Sequence, residues 1–97
     1  MFNPLPCRLN LKIIDKPWFV YIILCDDDTL YTGIALDLAE RLLIHQSGKG
    51  AKYTRSHGAK KIIFSEQHKT RAQALVREAE IKKLPRKEKV KLVNKKL

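Results

Sequence analysis

Val20-Tyr21-Ile22-Ile23-Leu24-Cys25-Asp26-Asp27-Asp28-Thr29-Leu30-Tyr31-Thr32-Gly33 reads as two apolar strands joined by an acidic turn, and the length of that turn decides which side chains meet. If the three aspartates alone form the loop, Cys25 pairs with Thr29 and Ile23 with Tyr31. Side chains alternate along a strand, so Tyr21 shares a face with Ile23. Tyr21 and Tyr31 are then diagonal neighbours on one face, within reach of long side chains. A four-residue loop would turn Tyr31 to the other face. Gly33, inside the second strand, marks a close backbone approach, and a ligand phosphate is the expected neighbour.

Working outward, Trp18 to Leu24 predicts a buried strand and Leu30 to Ile34 its returning partner. Asp37-Leu38-Ala39-Glu40 has the form of a capping box, opening a helix to about Ser47 that Gly48 ends. Gln46 to Gly58 predicts a Gly- and Lys-rich loop, and Lys61 to Glu66 a third strand around Ile62-Ile63-Phe64. Thr70-Arg71-Ala72-Gln73 is a second capping box, for a helix to about Leu84 that Pro85 breaks. A last, basic helix carries Val90, Val93 and Leu97 on one face. The expected order is β-β-α-β-α-α, an α+β fold with one mixed three-stranded sheet and helices packed on it. Residues 18–97 form that single domain. Residues 1–17, with three prolines, are an N-terminal tail or, over Leu9 to Ile14, an extra edge strand.

Ninety-seven residues suffice for one core. Twenty Lys and Arg against ten Asp and Glu leave a net charge of +10, which attracts polyanions, nucleic acid first among them. No apolar run has the length of a membrane span and no leader pattern opens the chain, so no membrane role is expected. Cys7 and Cys25 are isolated, without a C-x-x-C. The expectation is reduced thiols in a cytoplasmic protein, not a disulfide scaffold or a zinc site.

Arg41 and His45 lie four apart on one helical face, beside an expected buried stripe of Leu38, Ala39, Leu42 and Leu43. A guanidinium there can clamp a phosphate through two hydrogen bonds, and an imidazole can hold or move a proton near neutral pH. The next helix has an expected stripe of Ala72, Leu75, Val76 and Ala79. Glu78 and Glu80 flank it on opposite edges, and the helical wheel leaves both open. In the loop from Ser47 to Arg55, Lys49, Lys52 and Arg55 can track a phosphate backbone while the Tyr53 ring stacks on a base. The loop lacks the Gly-Lys-Ser/Thr ending of a Walker sequence. The aspartate triplet lacks the later ligands of a calcium loop and is a turn.

The ordered set Tyr21, Tyr31, Gly33, Arg41, His45, Tyr53 and Glu78 resembles the GIY-YIG nuclease domain over residues 18–97, most closely the small stand-alone bacterial members. Phe19-Val20-Tyr21 and Tyr31-Thr32-Gly33 stand where that family has its two name-giving motifs. Phe19 replaces the first motif's Gly and Thr32 the second motif's Ile. The Asn that some members carry near the C-terminus is not placed in this sequence, Asn94 being a weak candidate.

The resemblance implies one-metal phosphodiester hydrolysis. Glu78, followed by Ile81 and Lys82 as in the family's metal site, would bind one Mg²⁺ or Mn²⁺, with Glu80 the fallback. Tyr31 would help deprotonate the attacking water, assisted by Tyr21 or His45. A phenol, with a pKa near 10, needs neighbouring cations for that task. Arg41 would neutralise the pentacoordinate phosphate. The expected function is a metal-dependent endonuclease of low sequence specificity, acting on DNA rather than RNA, with a protein partner left open. The alternative is a nucleic-acid-binding module that keeps the fold without turnover.

Overall fold

The structure, a computed structural model, describes residues 17–96. The expected tail or edge strand before Pro17, and Leu97, lie outside the described residues. Strand β1 (Trp18–Cys25) is followed by β2 (Leu30–Ala35), α1 (Leu38–Gln46), α2 (Lys52–His57), β3 (Ala59–His68), α3 (Arg71–Lys83) and α4 (Arg86–Lys96). The strands form one sheet in the order β2-β1-β3. Both pairings are antiparallel, so the sheet is not mixed. The two helices between β2 and β3 bring the chain back to the end where β2 started, and β3 therefore runs against the central strand.

The hairpin has the three-residue loop. Tyr21 pairs with Gly33 and Ile23 with Tyr31, and the Cys25 N–H donates to the Thr29 carbonyl at 2.8 Å. Asp28 closes the turn at φ 68°, a left-handed conformation that Asp tolerates better than most residues. Asp27 braces it, its Oδ1 accepting from the Thr29 hydroxyl at 2.6 Å and the Thr29 N–H at 3.2 Å.

The capping signals work as read. The Asp37 carboxylate accepts from the Glu40 N–H at 3.0 Å and the Thr70 hydroxyl from the Gln73 N–H at 3.1 Å. The segment between α1 and β3 is not all loop, for Lys52–His57 is helical. No Gly or Pro interrupts those six residues, and Gly58 at φ 77° stops them.

Both faces of the sheet are covered. Tyr21, Ile23, Cys25 and Ala35 pack with Leu38 and Leu42 of α1, while Val20, Ile22 and Phe64 pack with Ala74 and Ile81 of α3 and with Leu92 and Val93 of α4. Three predicted stripes are rotated. On α1 the inward face is Leu38, Arg41, Leu42 and His45, while Ala39 is exposed and Leu43 is 66 % exposed. On α3 the inward face is Ala74, Glu78 and Ile81, and Ala72, Leu75, Val76 and Ala79 all face outward. On α4, Leu92 joins Val93 inside and Val90 is exposed. On α1, His45 is buried with the Tyr21 and Thr54 hydroxyls as partners, which lowers the cost of burying a polar group.

Candidate active site

Tyr21 and Tyr31 project from the same sheet face, their ring centres 6.4 Å apart. Opposite them, α1 delivers His45, only 3 % exposed. The Tyr21 hydroxyl and His45 Nε2 are 2.9 Å apart, and His45 Nδ1 lies 2.6 Å from the Thr54 hydroxyl oxygen. Thr54 donates its single hydroxyl hydrogen to the Ala51 carbonyl at 3.0 Å. It can therefore only accept from the ring, so Nδ1 carries the proton and Nε2 is bare. The chain is Tyr21 O–H to His45, His45 N–H to Thr54, Thr54 O–H to Ala51. Burial, and then the Arg41 charge, push the His45 pKa down; the imidazole stays neutral, as this chain requires.

Tyr21 is 2 % exposed. Burial raises its pKa above the ordinary phenol value, the charges of Tyr31 and Glu78 add to the rise, and Arg41 opposes it. Tyr21 is thus a fixed, protonated element of the site. Tyr31 differs: it is half-buried, 5.2 Å from His45 between ring centres, and its hydroxyl has no protein hydrogen-bond partner among the described residues. Arg41 is half-buried with its charge felt at both Tyr21 and His45, and no carboxylate pairs with it among the described residues.

Glu78 comes from α3, on the other side of the sheet, yet its charge reaches the Tyr21 phenol. Its side chain is 18 % exposed and pairs with Lys82 Nζ at 3.4 Å. Glu80 points away and binds Arg77 at 3.2 Å, within a separate network of Arg77, Glu66 and His68. The observed inward face of α3 thus separates two glutamates that the wheel could not.

Gly33 is closely approached as expected, and the approaching group is the Tyr21 phenol. A Cβ built there would lie 2.6 Å from the Tyr21 hydroxyl and 2.8 Å from its ring carbon. Tyr53, expected to offer its ring to a base, is already stacked on His57 at 4.2 Å and lies 5.8 Å from Tyr31. Lys49, Lys52 and Arg55 are exposed on and before α2. Asn94 is exposed on α4.

Sequence reasoning missed Thr54, His57 and Gly50. Thr54 fixes the His45 tautomer, and His57 binds the Asp27 carboxylate, tying α2 to the hairpin turn. A Cβ on Gly50 would run into the His45 ring. The available signal was Gly50-Ala51-Lys52-Tyr53-Thr54: a glycine, then an uninterrupted helical stretch placing a hydroxyl beside an aromatic.

Comparison with known proteins supplies the family. The GIY-YIG catalytic domain matches residues 17–91. A UPF0213 protein of Oceanobacillus iheyensis is 42 % identical over 80 residues, covering 82 % of this chain and 93 % of its own. One from Cronobacter sakazakii is 45 % identical over 78 residues, 80 % of this chain and 82 % of its own. The solution NMR structure of a UPF0213 protein from Bacillus halodurans aligns with a TM-score of 0.52 and 38 % identity, covering 80 % of this chain and 83 % of that one. Among the described residues no helix is long and apolar enough to cross a membrane. The family supports a nuclease-type function and implies a nucleic-acid substrate. The chain belongs to the GIY-YIG domain family, among relatives that are small UPF0213 proteins.

Proposed function

We propose that the protein is a divalent-metal-dependent endonuclease that hydrolyses DNA phosphodiester bonds with little sequence preference. The observation that carries the reading is Arg41: a half-buried arginine without a carboxylate partner among the described residues, set against a neutral Tyr21–His45–Thr54 chain. An unpaired guanidinium beside this wall is available to an anion, and its fork matches a phosphate.

Glu78 is the residue that would hold the metal. Among the described residues no three His, Cys, Asp or Glu side chains cluster, so an all-protein cage is not what this chain offers. A single, nearly buried carboxylate fits instead the mode in which Mg²⁺ or Mn²⁺ is held by one or two carboxylates, waters and a substrate phosphate. When bound, such an ion stabilises charge on the leaving oxygen. Arg41 neutralises the phosphate as its charge spreads. Tyr31, whose hydroxyl has no protein partner among the described residues, positions the attacking water at that hydroxyl. Tyr21 and His45 hold the wall against which Tyr31 is set, and their buried hydrogen bonds resist rearrangement.

A second reading, a nucleic-acid-binding protein without turnover, draws on one contact: Lys82 occupies Glu78 at 3.4 Å and competes with any cation. Incubation with duplex, nicked, branched and single-stranded DNA, and with RNA, each with Mg²⁺ or Mn²⁺ and with chelator, separates the two. Metal-dependent cleavage of DNA supports the endonuclease. Binding without cleavage of any substrate supports the second reading.

A further inference from the structure

Tyr53 has a second side. It lines a recess of about 210 Å³ together with Thr29, Leu30, Arg86 and Lys89. Three parts of the chain build it: the end of the acidic turn, helix α2, and the first turn of α4. The Arg86 Nη1 donates to the Asp28 carbonyl at 2.5 Å, which anchors the guanidinium at the rim and leaves most of its five N–H donors unspent. Lys89 is half-buried against this wall. Neither cation has a carboxylate partner among the described residues, whereas Lys82 and Lys91 are paired with Glu78 and Glu88. The Lys89 stem packs beside apolar Leu30 and the Tyr53 ring, and its ammonium is available to an anion in the recess.

Size and position narrow the anion. Pockets for drug-sized ligands run from about 300 to 1,000 Å³, so a recess of about 210 Å³ suits one linkage of a polymer better than a free nucleotide. The wall it shares with the active site is Tyr53, whose ring lies 5.8 Å from that of Tyr31. The acidic turn alongside would repel an anion if its carboxylates faced inward unpaired. Asp27 is instead engaged by His57 and Thr29, and the Asp26 carboxylate lies against Gly58; Asp28 meets Arg86 through its backbone carbonyl.

We propose that this recess binds a backbone phosphate of the substrate strand, flanking the scissile linkage, with Arg86 and Lys89 as its cations. The inference rests on the reading of the protein as one that acts on nucleic acid. It adds to the Arg41 site a second phosphate contact in fixed relation to it, so the strand is held at two points across Tyr31 and Tyr53.

The test is fluorescence anisotropy with a labelled oligonucleotide in chelator, where no cleavage intrudes. Arg86→Gln/Lys89→Gln should weaken binding about tenfold and make the log-affinity against log-salt slope shallower by roughly 0.7 to 0.9, the contribution of one phosphate. Lys60→Gln/Lys61→Gln, which removes two exposed β3 cations, should weaken it no more than about twofold. A scan of single neutral methylphosphonate linkages should find one position that weakens the wild type and not the double variant. Lys89→Gln alone, which breaks no hydrogen bond or ion pair among the described residues, guards against a folding defect and should show part of the loss. Wild-type binding that the double variant matches, or a β3 control that loses as much, overturns the subsite and leaves the nuclease reading standing. A wild type that binds no nucleic acid removes both.

Discussion

Tyr21 and His45 share a 2.9 Å hydrogen bond in which the phenol donates and the imidazole, with its proton held on the far nitrogen by Thr54, accepts. Both side chains are within 3 % of full burial. This direction of donation requires a neutral histidine, because a protonated ring has no acceptor nitrogen.

That requirement sets a pH dependence. The His45 pKa is depressed in the folded state by burial and then by Arg41, relative to an unfolded value near 6.5. Below pH of about 6.5 the unfolded chain binds a proton that the native state refuses, so stability falls with falling pH down to the depressed native value. Above about 6.5 both states are neutral and this contribution is complete. Thermal melts of wild type and His45→Gln between pH 5 and 8 check it. The wild type should lose stability on acidification through this range and the variant should show a smaller slope, whatever its absolute stability.

Gly33 predicts a steric effect with a functional echo. An alanine Cβ would sit 2.6 Å from the Tyr21 hydroxyl, so the ring must move away from His45. Overpacking of this kind costs about 1–3 kcal/mol. Gly33→Ala should lower the unfolding midpoint and reduce activity, and Tyr21→Phe/Gly33→Ala should recover little, because the ring carbon is itself 2.8 Å away. Denaturant titration with a cleavage assay measures both.

Thr32 predicts the opposite sign. Its hydroxyl is buried and has no hydrogen-bond partner among the described residues, and a buried unsatisfied polar group costs about 1–3 kcal/mol. Thr32→Val keeps the shape and removes the orphan. It should stabilise by about 1 kcal/mol, raising the midpoint by roughly 4–8 °C for a domain of this size, as calorimetry would show.

These cases also show how far the sequence could be read. The hairpin register was legible up to one choice: a loop of the three aspartates alone places Tyr21 with Tyr31 by parity, and the structure has that loop. The caps at Asp37 and Thr70 were legible because their hydrogen bonds are local. The inward face of α3 was not. Leu75 and Val76 are the more hydrophobic residues, yet Ala74 and Glu78 face the sheet, because which side of a helix meets the sheet is set by long-range packing. Thr54 and His57 were missed for the same reason, since their partners His45 and Asp27 lie 9 and 30 residues away.

Binding should be dominated by charge. With a net charge of +10, and cations spread over α2, the loop before it and α4, about five phosphates neutralised on duplex DNA would give a log-affinity against log-salt slope of roughly −4 to −5. Exchange of the duplex sequence should change affinity little. A slope near zero in a salt titration would remove nucleic acid from the account.

The most direct measurement is nicking of DNA under single-turnover conditions with Mn²⁺, wild type against Glu78→Gln, with DNA affinity measured alongside. Loss of a metal ligand removes several kcal/mol of transition-state stabilisation, and each 1.36 kcal/mol is tenfold in rate. The account predicts a fall of about 100-fold or more in Glu78→Gln, with affinity for DNA and the unfolding midpoint nearly unchanged. A Glu78→Gln protein that nicks DNA at the wild-type rate would contradict it.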